Sequence, residues 1–360
     1  MTIGQKGIAL FNKYLSRQCD MICVTVKSND PGYADHYQLL NILGNSAFRY
    51  INPLTIFTLR SIIRRHGITH LVLEHPYFGW LGVLLKKMTG VRLVVHSHNI
   101  ESTRWKGQGK WWWPVLQRYE KMTHRHSDYN LFIQEADLNY AVETFGLVPR
   151  RCITATYGLE WQAPPTGEAR STARERIRRL HGIAGDEHLL FFNGAFNYAP
   201  NLNALLALAE HVVPLLNRKA GFRYKILICG INIPPDISAR NWPNILVVGF
   251  VENIEDYFMA ADVFLNPVIE GGGIKTKLVD ALGYNCNVVS SRNGAIGVAP
   301  EWCNDKLLVT DNYDWQAFAD AIPAAAALQN DIPAAFFDRF YWGNITGRVA
   351  AFLQEDYRNL

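Results

Sequence analysis

Short apolar runs alternate with stretches of helical spacing along this chain. Gly7–Arg17 sets Ile8, Phe11 and Leu15 at helical intervals, and Cys19–Val26 (CDMICVTV) is apolar and β-branched, which predicts a strand. The same reading predicts helices over Leu54–His66, Trp80–Thr89, Trp113–Arg125 and Glu135–Phe145. Between them it predicts strands over Thr69–Leu73, Val91–Val95 and Asn130–Ile133. Near-continuous apolar strands separated by helices are the pattern of a parallel sheet covered on both faces.

The alternation stops at Gln162–Arg179 (QAPPTGEARSTARERIRR), which holds Pro-Pro, Gly and charge and almost no apolar residue. This predicts a linker running into a charged helix. Alternation then resumes. Strands are predicted over His188–Asn193, Tyr224–Cys229, Ile245–Val248, Val263–Asn266 and Asn287–Ser291. Helices are predicted over Asn203–Leu216, Glu255–Ala260, Lys275–Leu282 and Trp315–Leu328. The expected fold class is therefore α/β with two similar halves, and no shorter repeat is visible. A doubly wound domain usually opens with a strand feeding a glycine loop. Here Gly4-Gln5-Lys6-Gly7 has no strand before it, so the first strand is absent or the sequence begins downstream of it.

With 360 residues and 49% hydrophobic content, the chain suffices for two sizeable cores. No apolar run reaches membrane-spanning length, and no secretory signal opens the chain. Six dispersed cysteines without a C-x-x-C pair read as reduced thiols of a cytoplasmic protein. The net charge of +4 is uneven. Lys86–Arg125 holds nine Lys or Arg against two Glu, a local +7 that leaves −3 for the remainder. One face of the first half is expected to meet something anionic.

The most informative stretch is Asn266–Ser291 (NPVIEGGGIKTKLVDALGYNCNVVSS). A strand ends, Glu270 follows, then Gly271, Gly272 and Gly273, then Lys275 and Lys277, then a helix carrying Asp280. Three glycines let backbone approach a ligand closely. A helix starting there turns free N–H groups and its positive end toward the same spot, and two lysines add full charge. The arrangement suits a pyrophosphate, and Asp280 suits the hydroxyls of a ribose. The plain alternative is a glycine-rich turn with solvated lysines.

This segment resembles the donor-binding motif of retaining glycosyltransferases of family 4, which have the GT-B fold. The resemblance extends over nearly the whole chain. It implies two Rossmann-like domains facing a central cleft, residues 1–161 and 162–339. A last helix over about 340–360 would return to the first domain, which lacks its first strand. The family places a glutamate where Asp280 stands, on the ribose, and holds the diphosphate with the turn at Gly271–Gly273. Its second acid falls at Gly272 here, with Glu270 two residues away, as in a variant group with a GGG turn. Asn197 and Asn201 stand where the common pattern has Arg and Lys, so Lys275 and Lys277 are expected to supply the charge. Phe250-Val251-Glu252 would contact the base, and Gly7 would match the glycine loop on the donor phosphate.

Leu93–Thr103 (LVVHSHNIEST) ends a strand and opens into His96, His98, Asn99 and Glu101. The resemblance implies that His98 contacts the donor sugar, with Glu270 as its catalytic companion, and that Glu101 and Trp105 serve the acceptor. Two His at this spacing, with no third ligand evident, give no metal site, and no D-x-D run is present. Trp105–Lys121 (WKGQGKWWWPVLQRYEK) interleaves Trp105, Trp111, Trp112 and Trp113 with Lys and Arg. Three readings stay open for it: an anionic membrane surface, an acceptor groove, or packing. No nucleic-acid module surrounds it.

The expected function is transfer of a sugar, with retention, from a UDP- or GDP-sugar to a glycan or lipid-linked acceptor. No cofactor or metal is expected. The setting would be bacterial cell-surface polysaccharide synthesis, on the inner face of the cytoplasmic membrane. A nucleotide-sugar epimerase of the same shape and a non-catalytic nucleotide-sugar or polysaccharide binder are the rivals.

Overall fold

The computed structural model describes residues 3–30, 32 and 34–355. The chain divides into two units, Met1–Gly158 with Trp342–Leu360, and Leu159–Tyr341. Every strand pairing within them is parallel.

The first unit runs α1 (Ile3–Leu15), β1 (Ile22–Val26), β2 (Gln38–Leu43), α2 (Thr55–Arg65), β3 (His70–Glu74), α3 (Gly79–Thr89) and β4 (Arg92–Ser97). It continues with α4 (Glu101–Gly107), α5 (Trp113–His126), β5 (Tyr129–Phe132), α6 (Glu135–Tyr140) and β6 (Cys152–Thr154). Strands β3-β4-β5-β6 form one sheet, in that order, and β1-β2 form a separate pair. Leu93, Val94 and Val95 of β4 are fully buried, which explains why the strand is apolar on both faces. Helix α3 ends on Gly90 at φ 77°, a left-handed cap that costs glycine nothing.

The second unit runs α7 (Gly167–His181), β7 (His188–Ala195), α8 (Ala199–Ala207), α9 (Val213–Leu216), β8 (Tyr224–Ile231), α10 (Pro235–Ser238) and β9 (Ile245–Gly249). After these come α11 (Ile254–Ala260), β10 (Val263–Asn266), α12 (Thr276–Gly283), β11 (Asn287–Ser291), β12 (Leu307–Thr310), α13 (Trp315–Ala326) and α14 (Ala334–Phe340). The sheet order is β12-β11-β10-β7-β8-β9. This is the doubly wound order of a Rossmann domain, and the chain reverses direction across the sheet between β7 and β10. Ligands in such sheets bind beyond the carboxyl ends of the strands at that point. Leu190, Phe192, Ile226, Ile228, Val263 and Leu265 pack there against Leu205, Leu208, Phe318 and Ile322.

Helix α15 (Trp342–Gln354) belongs to the first unit. It packs on α1, with the Phe11 and Trp342 rings 6.4 Å apart. Full burial of a side chain such as Phe11 is worth about 1.5–3 kcal/mol.

Several sequence expectations change. Gly4–Gly7 is not a turn: it lies within α1, because Phe11, Tyr14 and Leu15 must share a buried helical face. Glu101 is not on a loop but opens α4. Strands β2, β6 and β12 went unpredicted, since each is short or carries polar residues. The C-terminal segment is two helices, α14 and α15, and residues 356–360 of the expected last helix lie outside the described residues. The charged stretch before β7 folds as α7. Thr166 caps it by accepting from the Ala169 N–H, and Arg174 and Arg176 pair with Asp262 and Asp256.

Candidate active site

Two clusters of polar side chains stand at strand carboxyl ends, one in each unit.

In the second unit the segment after β10 turns on Gly271 and Gly273, at φ 82° and 75°. A Cβ on Gly271 would stand 2.6 Å from the Tyr198 hydroxyl, so a side chain there is excluded twice over. Lys275 braces the turn from within: its Nζ donates to the carbonyls of Gly271 (3.0 Å) and Gly273 (2.9 Å). From the other side Asn293 donates to the Glu270 carbonyl at 3.0 Å. The first turn of α12 begins directly after.

Lys277 points back across the switch point. Its Nζ donates to the Asn193 carbonyl at the end of β7 (2.9 Å) and to Asn201 Oδ1 (2.7 Å), and lies 4.3 Å from the Phe192 ring centroid. Asn201 is fixed in turn by donating to the Ala195 carbonyl at 3.0 Å. Gly194 makes room, because a Cβ there would meet Asn201 at 2.8 Å. Burial pushes the Lys275 ammonium down to about 8. Burial, with the charge of Lys275, pushes Lys277 down to about 7. No carboxylate among the described residues pairs with either lysine. Two cations held by neutral oxygens at a helix start make a site short of negative charge.

The other expected donor residues surround this core. Glu270 is exposed, its Oε2 accepting from Asn203 at 3.3 Å. Asp280, half-buried, follows Lys277 by one turn on α12. Asn197 is exposed on the loop between β7 and α8, and Phe250 is 71% exposed just past β9. Of the two asparagines in that loop region, Asn201 and not Asn197 contacts a lysine.

In the first unit β3 and β4 end side by side, Glu74 opposite His96. His98 Nε2 lies 2.7 Å from Glu74 Oε2, and His96 Nδ1 lies 3.1 Å from the same oxygen. Burial alone would raise the Glu74 carboxyl, yet the charge and hydrogen bonds of His96 and His98 pull it below the usual range. Burial lowers His98, with His96 adding to the effect. With Nε2–H directed at Glu74, His98 Nδ1 carries the free lone pair. Glu74 was not singled out in the sequence; an acidic residue at the carboxyl end of a predicted strand was the available signal.

Glu101 has a fully buried side chain. Tyr77 donates to it at 2.7 Å, Arg104 at 3.2 Å, and His75 Nδ1 stands 3.3 Å away. Burial tends to raise its pKa, but His75 and Tyr77 bring it below the usual value. The start of α4 is held by Glu120, which accepts from the N–H groups of Glu101 (2.8 Å) and Ser102 (3.0 Å). Trp105 donates to Tyr77 at 3.2 Å and packs against Trp112, with ring centroids 5.0 Å apart. Trp111 is 85% exposed, while Lys106 covers Trp113. Gly7, inside α1, joins neither cluster.

Glu74, His96 and His98 also bring three ligand atoms within 4.8 Å of one another, more than the sequence expectation of no metal site allowed for. Hydrogen bonds already join them, so a cation would have to replace those contacts with bonds near 2.0–2.2 Å.

Two α/β units with parallel sheets, one of them in Rossmann order with a lysine-lined glycine turn at its switch point, are the architecture of the GT-B fold. Residues 8–157 match Glycosyltransferase Family 4 and residues 187–327 match Glycosyl transferases group 1. The chain belongs to this family, and it is a glycosyltransferase. No curated protein matches it. Among solved structures it is similar to Anabaena Alr3699/HepE in complex with UDP, at 12% identity and TM-score 0.72, covering 98% of this chain and 96% of that one. It is similar to sucrose-phosphate synthase (tll1590) from Thermosynechococcus elongatus, at 15% identity and TM-score 0.70, covering 98% and 93%. A third is WaaG, a glycosyltransferase involved in lipopolysaccharide biosynthesis, at 13% identity and TM-score 0.58, covering 99% and 93%.

Proposed function

We propose that this glycosyltransferase takes a hexose from a nucleoside diphosphate sugar, UDP- or GDP-linked, and transfers it with retention to a glycan or lipid-linked acceptor. The observation that carries the reading is the Lys275–Lys277 pair, which has no carboxylate partner among the described residues and lies beside the Gly271–Gly273 turn and the start of α12. Breaking the bond between sugar and diphosphate puts negative charge on the leaving oxygen. Preorganised cations and N–H groups aimed at that charge are the largest catalytic effect available to such a site. Asp280 receives the ribose hydroxyls, Phe250 lies against the base, and Asn197 is a lesser donor contact. The departing phosphate takes the acceptor proton, so no separate base or covalent nucleophile is required.

His98 contacts the sugar, with Glu74 orienting the ring through Nε2. Glu270, directly before the glycine turn, is the second unit's acid for the donor sugar. Trp105 serves the acceptor. Glu101, fully buried, acts through Tyr77 and Trp105 and not by direct contact. The charge on the diphosphate is met by the lysines, so turnover is expected to survive a chelator. The similarity to a UDP complex supports the donor class.

The acceptor and place of action are a cell-surface polysaccharide or lipid-linked precursor on the inner membrane face. Supporting this, Phe48, Ile51, Leu54 and Phe57 form an exposed apolar run ahead of Arg64 and Arg65, and Trp111 is exposed near Lys110. No helix among the described residues is long and apolar enough to cross a membrane.

The test is a thermal-shift screen of UDP-, GDP-, ADP- and TDP-sugars, followed by assay of nucleotide release with and without acceptor. One nucleotide class should raise the melting temperature, and acceptor should accelerate release. A new sugar formed from donor alone would make the protein an epimerase. Binding without turnover on any acceptor would make it a binder.

A further inference from the structure

Glu74, His96 and His98 converge in the way metal ligands do. His96 lies in β4 and His98 just past its end, two residues on, a spacing that sets both imidazoles on one side of the sheet. Glu74 is the register partner of His96 on the neighbouring strand β3, so its carboxylate stands on that side too. Two imidazoles and one carboxylate are thus brought together by the sheet itself, with no loop needed to fold over them.

The distances suit a metal of zinc's size. In a tetrahedral zinc site with bonds of about 2.0–2.1 Å, the ligand atoms stand about 3.3 Å from one another. Glu74 Oε2 lies 3.1 Å from His96 Nδ1 and 2.7 Å from His98 Nε2, and the three ligand atoms all fall within 4.8 Å of one another. Seating an ion widens the two contacts slightly. The surroundings hold the ligands in place. The His98 ring packs against those of His75 and His96, with centroids 4.6 and 4.4 Å away. The His75 N–H donates to the His96 carbonyl at 3.0 Å and ties the two strand ends together. His96 is buried, while Glu74 and His98 are partly exposed, so the cluster is closed on one side and open on the other. Three protein ligands with an open fourth position are the arrangement of a zinc ion that keeps an exchangeable ligand. Hydrogen bonds alone leave the cluster incomplete, because His96 Nε2 is buried without a partner among the described residues.

We propose that Glu74, His96 and His98 bind one Zn²⁺ ion, and that the ion switches sugar transfer off. The second half rests on the reading of His98 as the residue that meets the donor sugar. Without metal, His98 donates from Nε2 to Glu74 and keeps its lone pair on Nδ1. Zinc takes a lone pair on Nε2, so the proton of that nitrogen passes through water to Nδ1. His96 moves its proton from Nδ1 to Nε2 in the same way. Both rings stay neutral and no proton is released, but the free acceptor of His98 becomes a donor, and Glu74 no longer orients it. Mg²⁺ and Ca²⁺ take sets of oxygen ligands and do not suit two imidazoles.

The experiment uses the full chain, freed of metal with a chelator and dialysed. Titration with Co²⁺, whose four-coordinate complexes absorb strongly in the visible, should saturate at one equivalent. Zn²⁺ should remove the bands, and an excess of Mg²⁺ or Ca²⁺ should not. Glu74→Gln and His98→Gln should each weaken Co²⁺ binding by about ten-fold or more. His126→Gln, at an exposed histidine of α5, should leave it unchanged. Zn²⁺ should raise the melting temperature of the unaltered protein and not of the two ligand variants, whose own melting curves show that they are folded. No bands, or bands that survive in both ligand variants, would overturn the site. Zn²⁺ at the concentration that fills the site should lower transfer by about ten-fold or more, and chelator should restore it. Full turnover with the site filled would overturn the switch. The turnover of the metal-free chain tests the transfer reading and the Co²⁺ spectrum tests the site, so the two fail separately.

Discussion

Lys277 on α12 reaches Asn201 at the start of α8 with its Nζ 2.7 Å from Oδ1, joining the two strand ends that flank the switch point. Both of its hydrogen-bond acceptors, Asn201 Oδ1 and the Asn193 carbonyl, are neutral. A buried ammonium without a counter-ion is costly to the fold, and an incoming anion relieves that cost. Such a residue is better explained by a ligand than by stability.

Lys277→Met should therefore leave the protein folded, with an unchanged or higher melting temperature, and weaken donor binding. Hydrogen bonds to charged groups are worth about 1.5–3 kcal/mol, which is roughly ten- to hundred-fold in affinity. Calorimetric titration with the responsive nucleotide checks it. Wild-type affinity in the variant would remove the diphosphate from this lysine.

Donor binding should also depend on pH. Lys277 sits near 7 and Lys275 near 8 in the free protein. A bound diphosphate favours the charged forms and raises both values, so binding takes up protons. Affinity should fall as pH rises from 7 to 9, by at most about ten-fold per unit for each lysine that must be recharged. Titrations in buffers of different ionisation enthalpy would show the proton uptake directly. Affinity that is flat or rising over this window would mean that the lysines are already charged in the free protein.

Asp280→Asn tests the ribose. The volume is kept, and the charge and part of the acceptor capacity are lost. About ten-fold weaker donor binding is expected, with nucleotide and nucleoside losing affinity in parallel. A loss confined to diphosphate-bearing ligands would place the effect in the turn and not at the ribose.

The strand–glycine–lysine–helix run from Asn266 to Ser291 was legible because it is contiguous: strand, turn and helix lie in one stretch of sequence. Its apolar neighbours are fully buried, so periodicity placed β10, α12 and β11 within a residue or so. Lys277 was expected at a helix start as a source of positive charge, with no protein partner foreseen for it. Its actual partners, Asn193 and Asn201, are 84 and 76 residues away in sequence, a distance no local pattern spans. Glu74 was missed for the same reason. Its bonds to His96 and His98 exist only because β3 and β4 are adjacent in the sheet. Gly4–Gly7 misled in the opposite direction. Two glycines suggested a loop, but burial of Phe11 and Leu15 fixes a helix over them.

Glu74→Gln should separate orientation from binding. His98 loses the carboxylate that holds its Nε2–H, so turnover should drop by ten-fold or more while nucleotide affinity stays within about two-fold. The pH–stability curve provides an independent readout. The Glu74 carboxyl is depressed in the folded protein, so its contribution is complete above the unfolded value of about 4.3 and is lost as pH falls below it. The variant should lack that acid-side loss. Unchanged turnover would leave Glu74 as a purely structural partner of the two histidines.

The last prediction concerns the membrane. Trp111 is 85% exposed, and Phe48, Ile51, Leu54 and Phe57 are each more than half exposed. Aromatic and aliphatic side chains set out in water beside Lys and Arg are costly unless something covers them, and a lipid headgroup layer covers both kinds. Each nearby Lys or Arg contributes about 1 kcal/mol to binding an anionic surface, an attraction screened over about 8 Å at physiological salt. The protein should therefore sediment with anionic vesicles, much less with neutral ones, and progressively less as salt is raised. Two variants divide the contributions: Trp111→Ser with Trp113→Ser, and Phe48→Ser with Phe57→Ser. Each should weaken sedimentation while nucleotide binding stays unchanged, because both pairs belong to the first unit and the lysine site to the second. Equal sedimentation of the wild type with both vesicle types, or full retention in both variants, would remove the membrane and leave these side chains to the acceptor or to a protein partner.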